Sequence, residues 1–378
     1  MKKYYSTFSF IAFTAIIILV FLFYSPMPIS PESYNENLHE VKAEVVEVDN
    51  SEIIGSSVAF IGYQVLEVKV LEGEFKGETL RASNGLTGQL EVDNIYRPGD
   101  KIVAAILVKD DAVHGVKALD YYRQDWQLIL FIVFVISLVL YAGVIGLKAL
   151  FSFIASLFII WYVLIPGLLK GQNPLYLTLW ILILLTGVIM YSVAGFSKKA
   201  FCTFSGTVIG LGATVFVTMF FGAKTYMDGM TAPFIASLLF SGHMDLNVVY
   251  IFYASIIIGA SGAAMDIAMD ISSSMEEIKI KKPDISSKEL IQSGFNIGRD
   301  VIGTMTTTLL LAYSGGYLTL LMLFMTQNSS FIRIVNLKIV SAEIVRTLIG
   351  SLGLVIVAPI TTIIAGWIYS TDIKFLKE

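Results

Sequence analysis

The feature that most constrains this chain is a series of long apolar segments that begins just after Trp126. Each is close to or longer than the roughly 20 residues that a helix needs to cross the hydrocarbon core of a bilayer. The seven segments are residues 127–147, 149–169, 175–196, 200–222, 248–272, 301–325 and 343–369. Only 15% of the residues are charged, against about 25% in a typical soluble domain. These observations predict a membrane protein whose main part, residues 125–378, is an all-α helical bundle with seven spans.

A further apolar segment, Phe8–Phe23, lies near the start of the chain. The sequence after it, residues 25–30, lacks an Ala-x-Ala-like cleavage site, so residues 1–31 are interpreted as an uncleaved transmembrane anchor. A cleaved signal peptide is the alternative. With the anchor, the prediction is about eight transmembrane helices.

Two apolar stretches, Pro233–Phe240 and Phe331–Val340, are too short to span a bilayer. The first lies in the long connection of residues 223–247, where a re-entrant hairpin, an interfacial helix and a packed loop all stay open. The second could lie along the outer surface or be a plain loop packed on the bundle.

Residues 32–124 are water-soluble in composition and β-patterned. Alternating apolar and polar residues predict strands at Val41–Asp49, Tyr63–Leu71, Glu78–Ala82 and Lys101–Val108. Turn-forming residues are found at Glu72–Glu74, Ser83–Gly85 and Arg97–Asp100. About four to six strands in such a length predict a small all-β domain, either a sandwich or an OB-like barrel. Because no aromatic or basic cluster accompanies them, a packing or assembly role is favoured over ligand binding.

Lysine and arginine residues set the expected orientation, because they are enriched on the cytoplasmic side. If the N-terminus is cytoplasmic, the inside residues are Lys2, Lys3, Lys148, Lys198, Lys199, Lys279, Lys281, Lys282, Lys288, Arg299, Lys374 and Lys377. The short outside connections then hold only Lys170, Lys224, Arg333 and Lys338. Both termini and a 273–300 loop are therefore expected in the cytoplasm, and residues 32–124 outside it.

Several function classes lack the residues they need. The single cysteine, Cys202, cannot form an intramolecular disulfide, and the three histidines are far apart in the sequence, so no metal site is expected. No hydrolase, phosphate-loop or dinucleotide motif occurs, and no basic patch suits a nucleic acid. We expect no enzyme activity, no cofactor and no nucleic-acid partner.

Small and acidic residues recur at three- and four-residue steps in the segment around Gly259–Glu277, which on a helix makes one stripe. The stripe consists of Ser255, Gly259, Gly262, Asp266, Asp270, Ser273 and Glu277. A carboxylate at membrane depth costs at least ~2.5 kcal/mol, so the stripe is expected to face protein or water. Asp266 and Asp270 repel each other in a low dielectric, so together they suit binding of a proton or cation. For Asp270, simple solvation or pairing with Arg299 is the alternative.

A second polar stripe follows at the start of the 301–325 segment. Arg299 is predicted to be the electrostatic partner of the acids, and Asp300 either joins the site or caps this helix. The hydroxyls of Thr304, Thr307 and Thr308 suit a cation or a polar path, although threonines commonly bond back to their own helix.

Near the opposite face, Glu343 and Arg346 are three residues apart and are expected to pair, with a role as an outer gate as the alternative. Close helix packing is indicated by the spacings of Gly206 with Gly210 and of Gly350 with Gly353, and intramolecular contact is favoured over dimerisation.

These blocks resemble the YibE/F family of bacterial integral membrane proteins. The resemblance rests on GASGAAMDIAMDISSSMEE (259–277), GFNIGRDVIGTMTTTLLLAYSGG (294–316) and SAEIVRTLIGSLGLVIVAPITTIIAG (341–366), and it extends over essentially the whole chain. It marks as family positions Gly262, Asp266, Gly298, Arg299, Asp300, Gly303, Thr304, Thr306, Glu343 and Arg346. Thr307 stands where relatives usually carry Asn, and an acid at position 270 is not expected throughout the family. The resemblance implies a multipass protein of the bacterial cell membrane, with transport suspected.

Two functional hypotheses follow. The first is a secondary transporter, coupled to protons or cations, that moves an unknown small ion or solute through the bilayer. The second is a non-transporting envelope, assembly or sensor protein whose β-domain binds an envelope partner and whose acids only lock helices together. A homo-oligomer is compatible with either.

Overall fold

The computed structural model describes residues 37–55, 59–110, 112–326 and 330–371. The strands are β1 (Leu38–Asp49), β2 (Ile53–Gly55), β3 (Phe60–Val70), β4 (Thr79–Thr87), β5 (Lys101–Lys109) and β6 (Ala112–Tyr121). The helices are α1 (Gln124–Ile159), α2 (Ile165–Leu169), α3 (Pro174–Ala194), α4 (Lys198–Lys224), α5 (Ile235–Phe240), α6 (Val248–Lys281), α7 (Ser287–Gly316), α8 (Leu318–Thr326), α9 (Phe331–Asn336) and α10 (Lys338–Ser370). A π-helical turn, Ile160–Leu164, joins α1 to α2. The predicted anchor, residues 1–31, lies outside the described residues.

Five strands close into a small β-barrel. β1 pairs with both β3 and β5, β3 with β4, and β5 with β6, all antiparallel. A single parallel pairing of β4 with β6 completes the ring, and β2 extends β3 at one edge. The alternation predicted from the sequence places Leu66, Val68, Ile102 and Ile106 in the barrel core, where none of them is exposed.

One predicted turn was wrong. Ser83–Gly85 lies inside β4 and not in a turn. The side chain of Asn84 is buried there, and its amide donates to Gln64 Oε1 (3.1 Å) and to Asn94 O (2.7 Å). A buried polar side chain with satisfied hydrogen bonds is compatible with a strand interior. The turn at Arg97–Asp100 is confirmed, with Asp100 N donating to Arg97 O (3.1 Å).

The described chain divides into two compact units, with the division after Ser137 in α1. The predicted segments 127–147 and 149–169 follow each other without a loop, and the helix is broken at Gly143, whose φ of 55° and ψ of −127° are not helical. A positive φ is readily adopted by glycine because it has no Cβ atom. The break therefore lies within the first of the two predicted segments.

The described residues contain five helical stretches that are long and apolar enough to cross a membrane, or six if α7 and α8 count as one span with a 68° bend. The five are Gln124–Leu169, Pro174–Ala194, Lys198–Lys224, Val248–Lys281 and Lys338–Ser370. A helical membrane part is thus confirmed, whereas the total of about eight spans stays a prediction.

The bundle is organised around α10, which packs against α4, α6 and α7. Glycines make these contacts close: Gly206 lies against Thr361, Gly210 against Val357, and Gly353 against Thr214. A Cβ atom at any of these glycines would overlap the facing helix. The predicted intramolecular role of the glycine spacings is confirmed.

The 273–300 segment is not a loop. Helix α6 continues to Lys281 and α7 begins at Ser287, where a capping box formed by Ser286 and Glu289 starts the helix. The 223–247 connection contains only the short helix α5, and Phe331–Val340 is divided between α9 and the start of α10. The connection before α6 is tied to α10 by an ion pair between Asp228 and Lys338.

Candidate functional site

The predicted polar stripes lie on α6 and α7, which pack against each other in antiparallel directions. Near one end Gly294 of α7 lies against Met275 of α6, and toward the other end Gly259 of α6 lies against the hydroxyl of Tyr313 of α7. These two contacts determine which residues of α6 and α7 lie at the same level. Asp270 is level with Arg299 and Asp300, Asp266 with Gly303 and Thr304, and Gly262 with Thr307 and Thr308.

The stripes of both helices are exposed rather than packed inside the bundle. On α6 the exposed members are Ser255, Gly259, Gly262, Asp266, Asp270 and Glu277. On α7 they are Asn296, Arg299, Asp300, Gly303, Thr304, Thr307 and Thr308. We call these two sets together the α6–α7 polar face.

The composition of this face differs from the lipid-compatible surface elsewhere on the bundle. Helix α10 exposes Leu348, Leu352 and Ile363, and α4 exposes Phe216 and Phe220, as expected for contact with acyl chains. No large apolar side chain of α6 is exposed before Ile280, and none of α7 before Leu310. The α6–α7 polar face therefore lacks the side chains that contact with lipid would favour.

On α6 the acids of the face lie in the second half of the helix. Asp266 is 18 residues after Val248, the first residue of α6, which corresponds to about 27 Å along a helix. The hydrocarbon core is ~30 Å thick, so Asp266 and Asp270 lie near one boundary of the core if α6 begins at the other. Under the same condition Arg299 lies near that boundary, because it is level with Asp270.

Within the described residues, no ion pair joins Arg299 to Asp266, Asp270 or Asp300. The guanidinium of Arg299 instead donates to Asn296 Oδ1 on its own helix, at 3.4 Å. The predicted electrostatic partnership of Arg299 with the acids is thus not a direct contact inside one chain. Nor does Asp300 cap α7, because the helix begins thirteen residues earlier, at Ser287.

The hydroxyls of Thr304 and Thr308 bond back to α7, as the alternative interpretation held, and so does that of Thr306. Thr304 Oγ1 donates to Val301 O (3.0 Å), Thr306 Oγ1 to Ile302 O (2.8 Å) and Thr308 Oγ1 to Thr304 O (3.1 Å). A hydroxyl that donates in this way keeps oxygen lone pairs free to accept. These oxygens can therefore still receive a hydrogen bond from water or a partner, or coordinate a cation.

The three family-position glycines of this region have two different environments. Gly298 is buried, with Ile271 of α6 and Ala358 of α10 beside it. Gly262 and Gly303 are exposed, and a Cβ atom at either would meet nothing within 4 Å. Packing inside the described chain therefore requires glycine at none of these three positions.

A second polar cluster lies nearer the start of α10. Glu343 accepts two hydrogen bonds from Arg346 Nη1, at 2.8 and 3.2 Å, which confirms their pairing, and the guanidinium lies 5.4 Å from the ring centre of Phe252. Tyr313 lies close to both Gly259 and Gly350, with its hydroxyl buried and without a hydrogen-bond partner in the described chain. Tyr313 was not predicted as a site residue, although its position at the end of the polar stripe of α7 could have indicated one.

No group of three or more His, Cys, Asp or Glu side chains in the described residues is arranged to hold a metal ion. The α6–α7 polar face therefore offers separate carboxylates and hydroxyls rather than a closed ligand cage.

Comparisons with known proteins give the family. The family model described as YibE/F-like protein matches residues 130–371, and the one described as YibE/F family N-terminal domain matches residues 33–119. No curated protein and no solved structure matches the chain. The two matches cover the barrel and the helical part, and together with the apolar helices they lead to one conclusion. The chain is a membrane protein that belongs to the YibE/F family.

Proposed function

We propose that this protein is a secondary transporter, driven by protons or cations, whose ion-binding groups are Asp266 and Asp270 on the α6–α7 polar face. The observation that supports the proposal is the exposure of both carboxylates on a surface without large apolar side chains. A charged group that faces lipid is costly, so such a face requires water or protein opposite it. Carboxylates that can reach water at the edge of a membrane can load and release a cation.

The rest of the face suits the same role. Thr304, Thr307 and Thr308 continue the line of oxygen atoms from the acids toward the middle of the bundle, at the level of Gly262. Arg299, level with Asp270, adds a positive charge that lowers the affinity of the acids for a cation, so release is favoured. The non-transporting alternative required acids that lock the helices together, and neither Asp266 nor Asp270 has such a partner in the described residues.

The proposed arrangement in the membrane follows the charge distribution of the sequence. The anchor and the bundle make about eight spans, the end of α6 that carries Lys279 and Lys281 is cytoplasmic, and the barrel is extracytoplasmic. The strand order of the barrel, with one parallel pair between β4 and β6, supports an OB-like fold for that domain. This orientation puts the acids near the cytoplasmic boundary.

Ion flux in vesicles tests the proposal. The full-length protein is reconstituted, and the dissipation of imposed H⁺, Na⁺ or K⁺ gradients is followed for the wild type and for Asp266→Asn. We expect flux of one of these ions in the wild type and its loss in the variant. Glu277→Gln is the matched control, because Glu277 lies on the same stripe but pairs with Lys281 (3.1 Å), and it should keep the wild-type flux.

Accessibility provides the second measurement. A cysteine replaces Asp266 in a Cys202→Ser background and is labelled with a membrane-impermeant thiol reagent from each side. Labelling from the cytoplasmic side supports a conduit that contains the carboxylate. Unchanged flux in Asp266→Asn, together with no labelling from either side, would refute the transporter and favour the envelope or assembly protein.

A further inference from the structure

The α6–α7 polar face carries both signs of charge. Helix α6 supplies Asp266 and Asp270, helix α7 supplies Arg299 and Asp300, and no ion pair joins Arg299 to these acids within the described chain. Because Arg299 is level with Asp270, opposite charges are exposed at one depth on two neighbouring helices. At this level the face can meet a second copy of itself with opposite charges together.

The geometry points to a second copy of this chain as the partner of the α6–α7 polar face. In a two-fold dimer the same patch is used twice, so each contact between two residues occurs in both directions. An axis along the membrane normal leaves every residue at its own depth. Helix α6 of one copy then lies against α7 of the other, and Asp270 of each copy meets Arg299 of the partner copy.

The small residues of the face support close approach. Gly206, Gly210 and Gly353 each lie against a neighbouring helix, whereas Gly262 and Gly303 have open space where a side chain would be. Glycines on an exposed helix surface allow another helix to pack closely in a membrane. Exposed hydroxyls of Thr304 and Thr308 can accept hydrogen bonds across the same contact.

The pairing also accounts for a polar surface that the described residues leave uncovered. Facing copies remove the charges and hydroxyls from contact with acyl chains, and any water between the copies is enclosed by protein. The seam between the copies therefore contains the proposed ion path, but the dimer does not require transport to be correct.

Charge exchange between two tagged copies tests the contact directly. One copy carries Arg299→Asp, so that its face has acids at both 270 and 299, and the other carries Asp270→Arg, so that both positions are basic. We expect the two different copies to co-purify from membranes in which they are co-expressed. Each variant alone, expressed with two tags, should lose self-association relative to the wild type, because like charges then face each other at both contacts.

The matched control makes the same exchange at the end of the face, about two helical turns past Asp270, with Lys281→Asp on one copy and Glu277→Arg on the other. Both residues are exposed and pair along the end of α6, so wild-type self-association should persist in all combinations. Equal recovery of the mixed and the single-variant pairs at positions 270 and 299 would overturn the proposed contact.

Cross-linking locates the interface without changing its charge. Gly262→Cys on one tagged copy is combined with Thr308→Cys on the other, in a Cys202→Ser background, because the two positions are at the same level. A mild oxidant should produce a covalent dimer containing both tags, in a yield several times that of the control pair Phe216→Cys and Leu352→Cys on the apolar surface. Equal yields, or a monomer with no cross-link, would overturn the inference and leave the predicted anchor to cover the face. Both experiments are independent of ion flux, so failure of the dimer and failure of transport are distinguishable.

Discussion

A single carboxylate, Asp93, organises the chain that leaves β4. It accepts hydrogen bonds from the backbone amides of Thr87 (2.7 Å), Gly88 (2.6 Å) and Gln89 (3.1 Å), and from the Thr87 hydroxyl (3.0 Å). Desolvation of the carboxyl favours its protonated form, but these hydrogen bonds outweigh that effect and hold the pKa of Asp93 below its usual value. The ionised form is therefore the one that the folded barrel stabilises.

The lowered pKa gives a pH dependence with a definite sign. The contribution of Asp93 is complete above the pKa that it has in the unfolded chain and is lost as the pH falls through the lower folded value. In Asp93→Asn we expect faster exchange of the 87–89 amides at neutral pH and little further change on acidification, measured by hydrogen–deuterium exchange corrected for intrinsic rates. Glu91→Gln, an exposed acid of the same loop, should behave as wild type. Identical exchange in wild type and Asp93→Asn would contradict this role.

At the same scale, the sequence predicted which residues form the α6–α7 polar face but not how they pair. The three- and four-residue steps of Gly262, Asp266 and Asp270 are sufficient to place them on one side of a helix. Whether Arg299 can meet an acid of α6 depends on the register of α6 against α7, which glycine contacts far along the helices determine. No local pattern encodes that register, so the sequence could not show that Arg299 bonds to Asn296 of its own helix rather than to an acid of α6.

Among the contacts between helices, that of α4 with α10 depends most directly on glycines, which have no side chain. Gly210 lies against Val357, including its Cα atom, so the space for a methyl group can be made only by separating the helices. Gly212 is two residues further along α4, and a Cβ atom added there would meet nothing within 4 Å. The two glycines therefore differ in environment while they share a helix.

Gly210→Ala is expected to destabilise the helical unit by about 1–3 kcal/mol, the usual cost of overpacking. Gly212→Ala should be neutral or slightly stabilising, because alanine has the higher helix propensity. The comparison is made by thermal unfolding of the two variants in the same detergent. A loss of stability in Gly212→Ala equal to that in Gly210→Ala would show that the helix itself, and not its contact with α10, is affected.

The strand and the helix ends that were not predicted lie where the pattern of apolar and polar residues is irregular. β6 (Ala112–Tyr121) was not predicted as a separate strand, and its pairing with β5 has register shifts at Val103/Ala104 and Leu107/Val108 that interrupt the alternation. The long helices were predicted from the length of the apolar segments alone, but the residues at which the helices end were not predicted. Helix α6 extends nine residues past 272, into a charged stretch where hydropathy gives no signal.

On the scale of the molecule, two separate hydrophobic cores hold the described chain together. The barrel core contains Leu66 and Val68, the helical core contains Ile256 and Leu354, and no residue belongs to both. Each core is therefore described by its own set of side chains.

Leu66→Asp should unfold the barrel and leave the helical unit intact, because an unpaired carboxylate inside a core costs several kcal/mol. Limited proteolysis should then cleave within residues 37–121, while the helical signal in circular dichroism is retained. Glu67→Gln, an exposed neighbour on β3, is the control and should remain resistant to cleavage. Loss of the helical signal in Leu66→Asp would mean that the two cores fold as one cooperative unit.

The order of the barrel strands has a consequence for biogenesis. β6 contributes to the ring through both β5 and β4, so the ring cannot close before Tyr121 has been synthesised. Helix α1 begins at Gln124, only a few residues later. Ring closure is thus followed directly by synthesis of the apolar helix α1, and the earlier strands have unpaired edges until β6 is available. Slow delivery of β6 would prolong that period, in which unpaired edges expose the nascent barrel to aggregation.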